Sequence, residues 1–203
     1  VSKDQKHFYY LCDLSDFHKT NELFENLLNS HKNITGIVWS AGSELIKKTQ
    51  HLTKKDVDRT FDTVKNGIIA AAKSFTKKVF WANQGSSVVI LSSVAQSRST
   101  EGMLIYSAAK STITGIVKNL AGELSKYNAR INSLILGAVD TEMHRRVIKN
   151  SKIEAIQAYE QKHLFGFAKT SDVNPMIIYL LSDASKWMTG AELVLDGGLS
   201  VKG

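Results

Sequence analysis

One cysteine, Cys12, and one proline, Pro175, stand among 203 residues. A lone thiol closes no internal disulfide and builds no Cys-rich zinc or iron–sulfur centre, which fits a reducing compartment. With so little proline there is no Pro-rich linker. No low-complexity tract, internal repeat or composition break divides the chain, so residues 1–203 are expected to form one domain. No apolar run approaches the roughly 20 residues that span a bilayer. The opening Val-Ser-Lys-Asp-Gln-Lys-His also lacks the apolar stretch of a signal peptide. The expectation is a cytoplasmic chain with no membrane partner. The six histidines are dispersed and form no His-Glu-x-x-His, so no metal site is expected.

The 43% of hydrophobic residues is enough to fill a core, and 26 basic against 19 acidic residues give a net charge of +7. That surplus permits an anionic ligand without choosing one. The pairs Lys47-Lys48, Lys54-Lys55, Lys77-Lys78 and Arg145-Arg146 come without a reading helix or zinc module. Solvated basic faces explain them more simply than a nucleic-acid partner does.

The apolar period switches repeatedly between that of a strand and that of a helix. Phe8–Cys12 reads as a short strand, followed by a helix carrying Leu23, Phe24, Leu27 and Leu28, and then a strand over Ile34–Trp39. A long helix after Asp56 carries Val57, Phe61, Val64, Ile68, Ala71, Ala72 and Phe75, and ends before Gly85. Strands are expected over Ser87–Leu91, Ile131–Leu136 and Glu192–Leu195, with helices over Met103–Tyr127 and Ser171–Leu181. Such alternation predicts an α/β, three-layer Rossmann-like fold with a mainly parallel, doubly wound sheet. Ligands of such sheets bind beyond the carboxyl ends of the strands, which directs attention to Asp13, Gly42, Ser93 and Gly137. The basic, amphipathic residues 141–169 are expected to form helices covering a substrate or, more simply, a solvated excursion.

Tyr106 and Lys110 lie four residues apart on a predicted helix, so their side chains share a face. An ammonium beside a phenol favours the phenolate and is expected to lower the tyrosine pKa from about 10. Ser93 leaves the preceding strand and can donate to a substrate oxygen. Alone, Tyr-x-x-x-Lys equally describes an exposed tyrosine beside a solvated lysine.

The order changes that balance. A strand ends at Ser92-Ser93, Ile-Tyr-Ser-Ala-Ala-Lys follows over residues 105–110, and another strand ends at Leu136-Gly137. This arrangement resembles the classical short-chain dehydrogenase/reductase family, with similarity running along essentially the whole chain. The resemblance implies Ser93, Tyr106 and Lys110 as catalytic residues of an NAD- or NADP-dependent oxidoreductase acting on an alcohol or carbonyl substrate. Ser93 would position the carbonyl, Tyr106 would exchange the proton, and Lys110 would also hold the nicotinamide ribose. Asp13, Ser40, Ala41, Gly42, Gly137 and Thr141 are implied as further cofactor contacts, Gly42 and Gly137 by admitting close approach. On local chemistry alone, Asp13 reads equally as a helix cap, and Gly137 with Thr141 as a turn entering a helix. The segment Leu180 to Gly198 matches the family's closing stretch, and the resemblance implies a homodimer or homotetramer.

The chain departs from that pattern at several places. No Thr-Gly-x-x-x-Gly-x-Gly turn occurs in it, and the sequence opens just before the family's third strand. In the family sheet the first two strands lie between the third and the fourth. The third strand is therefore expected to move beside the fourth, or another segment or subunit to fill the gap, or the polypeptide to belong to a longer one. Val64 stands where the family has an asparagine supporting proton relay, and Asn66 sits too far around the helix to replace it. Gln96 stands in place of a common glycine. A catalytically weakened, oligomeric scaffold is the alternative these departures leave.

Overall fold

A computed structural model describes residues 5–31, 33–77, 81, 85–149 and 152–201. The sheet has four parallel strands in chain order: β1 (Gly36–Trp39), β2 (Ser86–Ser93), β3 (Ala129–Leu136) and β4 (Glu192–Leu195). Helices α1 (Phe17–Ser30), α2 (Lys54–Phe75), α3 (Leu104–Ser125), α4 (Glu142–Ile148), α5 (Ile153–Glu160) and α6 (Thr170–Leu181) complete the α/β, three-layer Rossmann-like architecture. The end of the helix expected before Gly85 falls partly on residues 78–80 and 82–84, outside the described residues.

Alternation along the strands builds the layers. Val88 and Ile90 of β2 face α2 and α3, where Val64, Ile68, Ile113, Val117 and Leu124 close a core with Ile131 of β3. Val89 and Leu134 face the other way and pack under Val173 and Leu180 of α6. Each such aliphatic side chain gives about 1.5–3 kcal/mol on full burial. Both faces are covered, so the central strands read as continuous apolar runs. Helix α2 starts with a capping box, Thr53 and Asp56 each bonding the other's backbone amide.

Phe8–Cys12 is not a strand. Phe8, Tyr9, Tyr10 and Leu11 are exposed, and the Tyr10 hydroxyl lies 2.9 Å from His31 Nε2 at the end of α1. A strand requires a neighbour to complete its ladder. Among the described residues β1 pairs with β2 alone, and Val38 remains 41% exposed. The apolar segment has not moved beside β1. The helix cap before α1 is Asp16, whose carboxylate accepts from the amides of His18 and Lys19, whereas Asp13 closes a turn with Ser15.

Candidate active site

The carboxyl ends of β1, β2 and β3 open on a cavity of about 510 Å³, bordered by Ser40, Gly42, Ser93, Tyr106, Lys110, Gly137 and Thr141. Ala41 packs against the hydrophobic core instead, and Asp13 lies in the exposed turn before α1, outside the lining.

Two hydroxyls fasten the start of α3 to the short turn after β2. Ser107 donates to the Ala95 carbonyl, and Ser111 donates to that of Gln96 at 3.1 Å. This brings Tyr106, in the first turn of α3, against Ser93 at the end of β2. Both side chains border the cavity, and Ser93 Oγ accepts from the Ala95 amide at 3.2 Å. One turn along α3, Lys110 is 6% exposed, its Nζ 2.9 Å from the Leu91 carbonyl and 5.8 Å from the centroid of the Tyr106 ring. Gln96, at the departure noted above, has a structural use: it accepts from Ser92 at 2.6 Å and donates to Glu192 at 3.2 Å, which also receives Thr114 at 2.6 Å. That chain binds the end of β2 to the middle of α3 and the start of β4.

The electrostatics run opposite to the expectation for Tyr106. Its pKa is pushed up to about 12, first by burial and then by the carboxylate of Glu44, against a smaller lowering by Ser93. Burial brings Lys110 down to about 8, with Glu44 opposing that fall. Glu44 itself is raised by burial and lowered by Lys110. Desolvation thus outweighs the attraction on which the expected phenolate rested. The phenol keeps its proton at neutral pH, and so does most of the ammonium.

Glu44 is the main participant that the sequence reading missed. It lies two residues beyond Gly42 in a segment without period, and the one signal for it was an acid immediately after a strand's carboxyl end. Arg98 also borders the cavity, as do His144, Tyr159 and Lys162 from residues 141–169.

The two glycines have different reasons. A Cβ at Gly137 would lie 2.8 Å from Asp196 Cα and 2.9 Å from its carbonyl oxygen, so the backbone just after β4 excludes a side chain there. A Cβ at Gly42 would come within 3.4 Å of Lys110 Nζ, inside the cavity. Thr141 caps α4, its hydroxyl accepting from the His144 amide at 3.2 Å. Val64 is 2% exposed within the core, and Asn66 donates to Ser15 O at 3.1 Å and Asp62 Oδ1 at 3.0 Å, so neither borders the cavity.

The family model described as enoyl-(acyl carrier protein) reductase matches residues 1–200. Dehydrogenase/reductase SDR family member 6 of Rattus norvegicus is 30% identical over 152 residues, covering 73% of this chain, which spans only 62% of that protein. Among solved structures, a short chain dehydrogenase family protein from Francisella tularensis superposes with a TM-score of 0.86 at 24% identity, over 97% of this chain and 85% of the other. A 4-hydroxyisoleucine dehydrogenase complexed with NADH gives 0.82 at 23% identity, over 93% and 77%. A parallel sheet wound on both faces, a serine, tyrosine and lysine gathered at its carboxyl end, and a family match along nearly the whole sequence agree: this chain belongs to the classical short-chain dehydrogenase/reductase family.

Proposed function

We propose that this cavity exchanges hydride between NAD or NADP and an alcohol or carbonyl substrate. The observation carrying this is a serine hydroxyl and a phenol with a lysine ammonium beside the ring, all bordering one space of about 510 Å³. In the reducing direction Ser93 donates to the carbonyl oxygen and steadies its developing charge. Tyr106, holding its proton, delivers it to that oxygen as the alkoxide forms. A reduced nicotinamide supplies the hydride that makes the new C–H bond. The residues present fit such a group in part: Gly42 leaves the Lys110 ammonium open to the cavity, and Ser40, Gly137 and Thr141 add polar or backbone surface around it. Ala41 and Asp13, off the lining, are given a contact only through that neighbourhood.

Residues 141–169 are assigned as the substrate-covering segment, because Met143, His144, Tyr159 and Lys162 reach the cavity. The reading also includes a strand beside the open edge of β1, supplied by residues outside this sequence or by another chain. A homodimer or homotetramer in the cytoplasm is the assembly proposed, its faces marked by the exposed Ile69 of α2, Leu104 of α3, Ile178 of α6 and Val194 of β4. Among the described residues no helix is long and apolar enough to cross a membrane.

Titration of the purified protein with NADH and with NADPH tests the reading. Saturable binding followed by turnover on a panel of carbonyls supports it, and no binding at about millimolar cofactor rejects it. The core-facing Val64 favours one alternative, a scaffold with weakened chemistry. Cofactor binding with no turnover on any carbonyl would select that alternative.

A further inference from the structure

Behind the cavity wall, His163 is 3% exposed and its ring is fixed at both nitrogens. Nε2 lies 3.1 Å from the Ala138 amide, and Nδ1 lies 3.2 Å from the Tyr159 carbonyl. An amide N–H only donates and a carbonyl only accepts, so Nε2 is the bare acceptor and Nδ1 carries the proton. The two partners thus select the neutral ring and its tautomer. Tyr159 and Phe167 pack edge-on against it at 5.2 Å and 5.4 Å.

The two elements joined by this ring both border the cavity: Ala138, just past the end of β3, and Tyr159 of α5. Two further bonds cross the same seam, Ala168 N to Ala138 O at 3.1 Å and Asp140 N to Ala168 O at 2.7 Å. Of the three, the imidazole bond alone can be switched by a proton. A second proton on the ring would set N–H against N–H at Ala138. Burial holds the ring pKa below its ordinary value. Asp196 beyond β4 opposes that shift, and Arg98 from the turn after β2 adds to it; the other titratable rings on this side are Tyr159 of α5 and His144 of α4.

We propose that His163 is a positioning residue for Gly137–Thr141, clamping that cavity-facing segment to the covering helix while neutral and letting it go when protonated. The clamp is independent of the enzymatic reading; its consequence for cofactor affinity rests on that reading. The test is hydrogen exchange of the 137–141 amides in the full chain, corrected for intrinsic rate, from about pH 7.5 down to about pH 5, with NADH and NADPH binding measured in parallel. In the wild type, protection should fall at least about tenfold as the ring titrates, and cofactor affinity should fall with it. His163→Gln keeps an acceptor that gains no proton, so both readouts should stay flat with pH. His163→Leu should already be unprotected at the upper pH while the β2 and β3 amides remain protected. A flat wild-type profile overturns the proposal, as does a Gln variant that repeats the fall, or a Leu variant with full protection. Should the Leu variant fail to fold, the wild-type and Gln profiles decide alone. If neither cofactor binds, the enzymatic reading fails and the exchange data still judge the clamp.

Discussion

The sheet opens on a cavity at each end, and polar side chains are employed differently at the two. At the amino end the hollow is larger, about 640 Å³, bordered by Ser86, Asn128, Arg130, Asp183 and Trp187 among others. There the polar groups are bonded to backbone. Arg130 donates to the carbonyls of Leu180, Ser182 and Met188 at 3.1–3.2 Å, Ser87 to Leu180 O at 2.7 Å, and Asn132 to Met188 O at 2.9 Å. At Leu180 and Ser182 these donors satisfy carbonyls at the end of α6, and a cation at a helix carboxyl terminus also suits the dipole. At the carboxyl end, burial and the Glu44 carboxylate instead shift the proton affinities of Tyr106 and Lys110, and Lys110 acts back on Glu44, around open space. Volume therefore does not mark the end proposed to react; perturbed titratable groups do. Arg130 also has a lowered pKa through burial, but a guanidinium keeps its proton at any working pH.

The largest effect that would sharpen this contrast is on turnover. Tyr106→Phe keeps the ring and removes the proton, so kcat should fall by roughly 10²–10⁴-fold while the unfolding midpoint hardly moves. Steady-state kinetics beside a urea titration reads both. A variant with near-normal kcat would remove the distinction between the two ends. The converse is Arg130→Ala, which takes one donor from each of three carbonyls that Ser87, Ser185 and Asn132 still serve. It should cost about 1–3 kcal/mol of stability with kcat per folded molecule unchanged. A large loss of kcat in protein shown to be folded would mean that the amino end takes part in the chemistry.

The sequence made the central part of this architecture legible because its strands are covered on both faces. Ser87–Leu91 was enough to locate β2, and Glu192–Leu195 coincides with β4. Phe8–Cys12 is likewise a short apolar run, yet whether such a pentamer is a strand depends on a neighbouring backbone that no local pattern specifies. Ser93, Tyr106 and Lys110 could be picked out because their order after a strand end and along a helix resembles the family's pattern. The sign of the effect on Tyr106 could not, since it turns on how desolvation compares with attraction, and burial is a property of the assembled fold. Glu44 and His163 escaped for a related reason: each acts on a group far away in sequence, Lys110 in one case and Ala138 in the other.

Val64 offers a smaller test on the same side of the sheet. If loss of the family's asparagine were the only defect, restoring it should help. At 2% exposure among Ile68, Ile113 and other apolar neighbours, however, an amide at residue 64 finds no partner. Val64→Asn should therefore cost about 1–3 kcal/mol and leave kcat no higher, as thermal unfolding and initial rates would show. A gain in kcat would place residue 64 in contact with the proton path.

The finest test separates the reaction from stability at a single residue. Lys110, with a pKa near 8, loses its charge well below the 10.5 of an ordinary lysine. Turnover needing the ammonium should fall as pH rises through about 8. Stability should move the other way: between the folded value and 10.5 the unfolded chain holds a proton that the folded chain has released, so unfolding becomes harder as pH rises. Below the folded value, the penalty of burying the ammonium is felt in full. Glu44→Gln removes the carboxylate that supports this charge, so the alkaline limb of kcat should shift to lower pH, and the rise in stability should begin lower too. The same change takes an upward push off Tyr106, leaving burial as the principal cause of its raised pKa. Paired pH profiles of kcat and of the urea midpoint would show both limbs moving together. If either limb stayed in place, Glu44 would not be the group that sets the ammonium's charge.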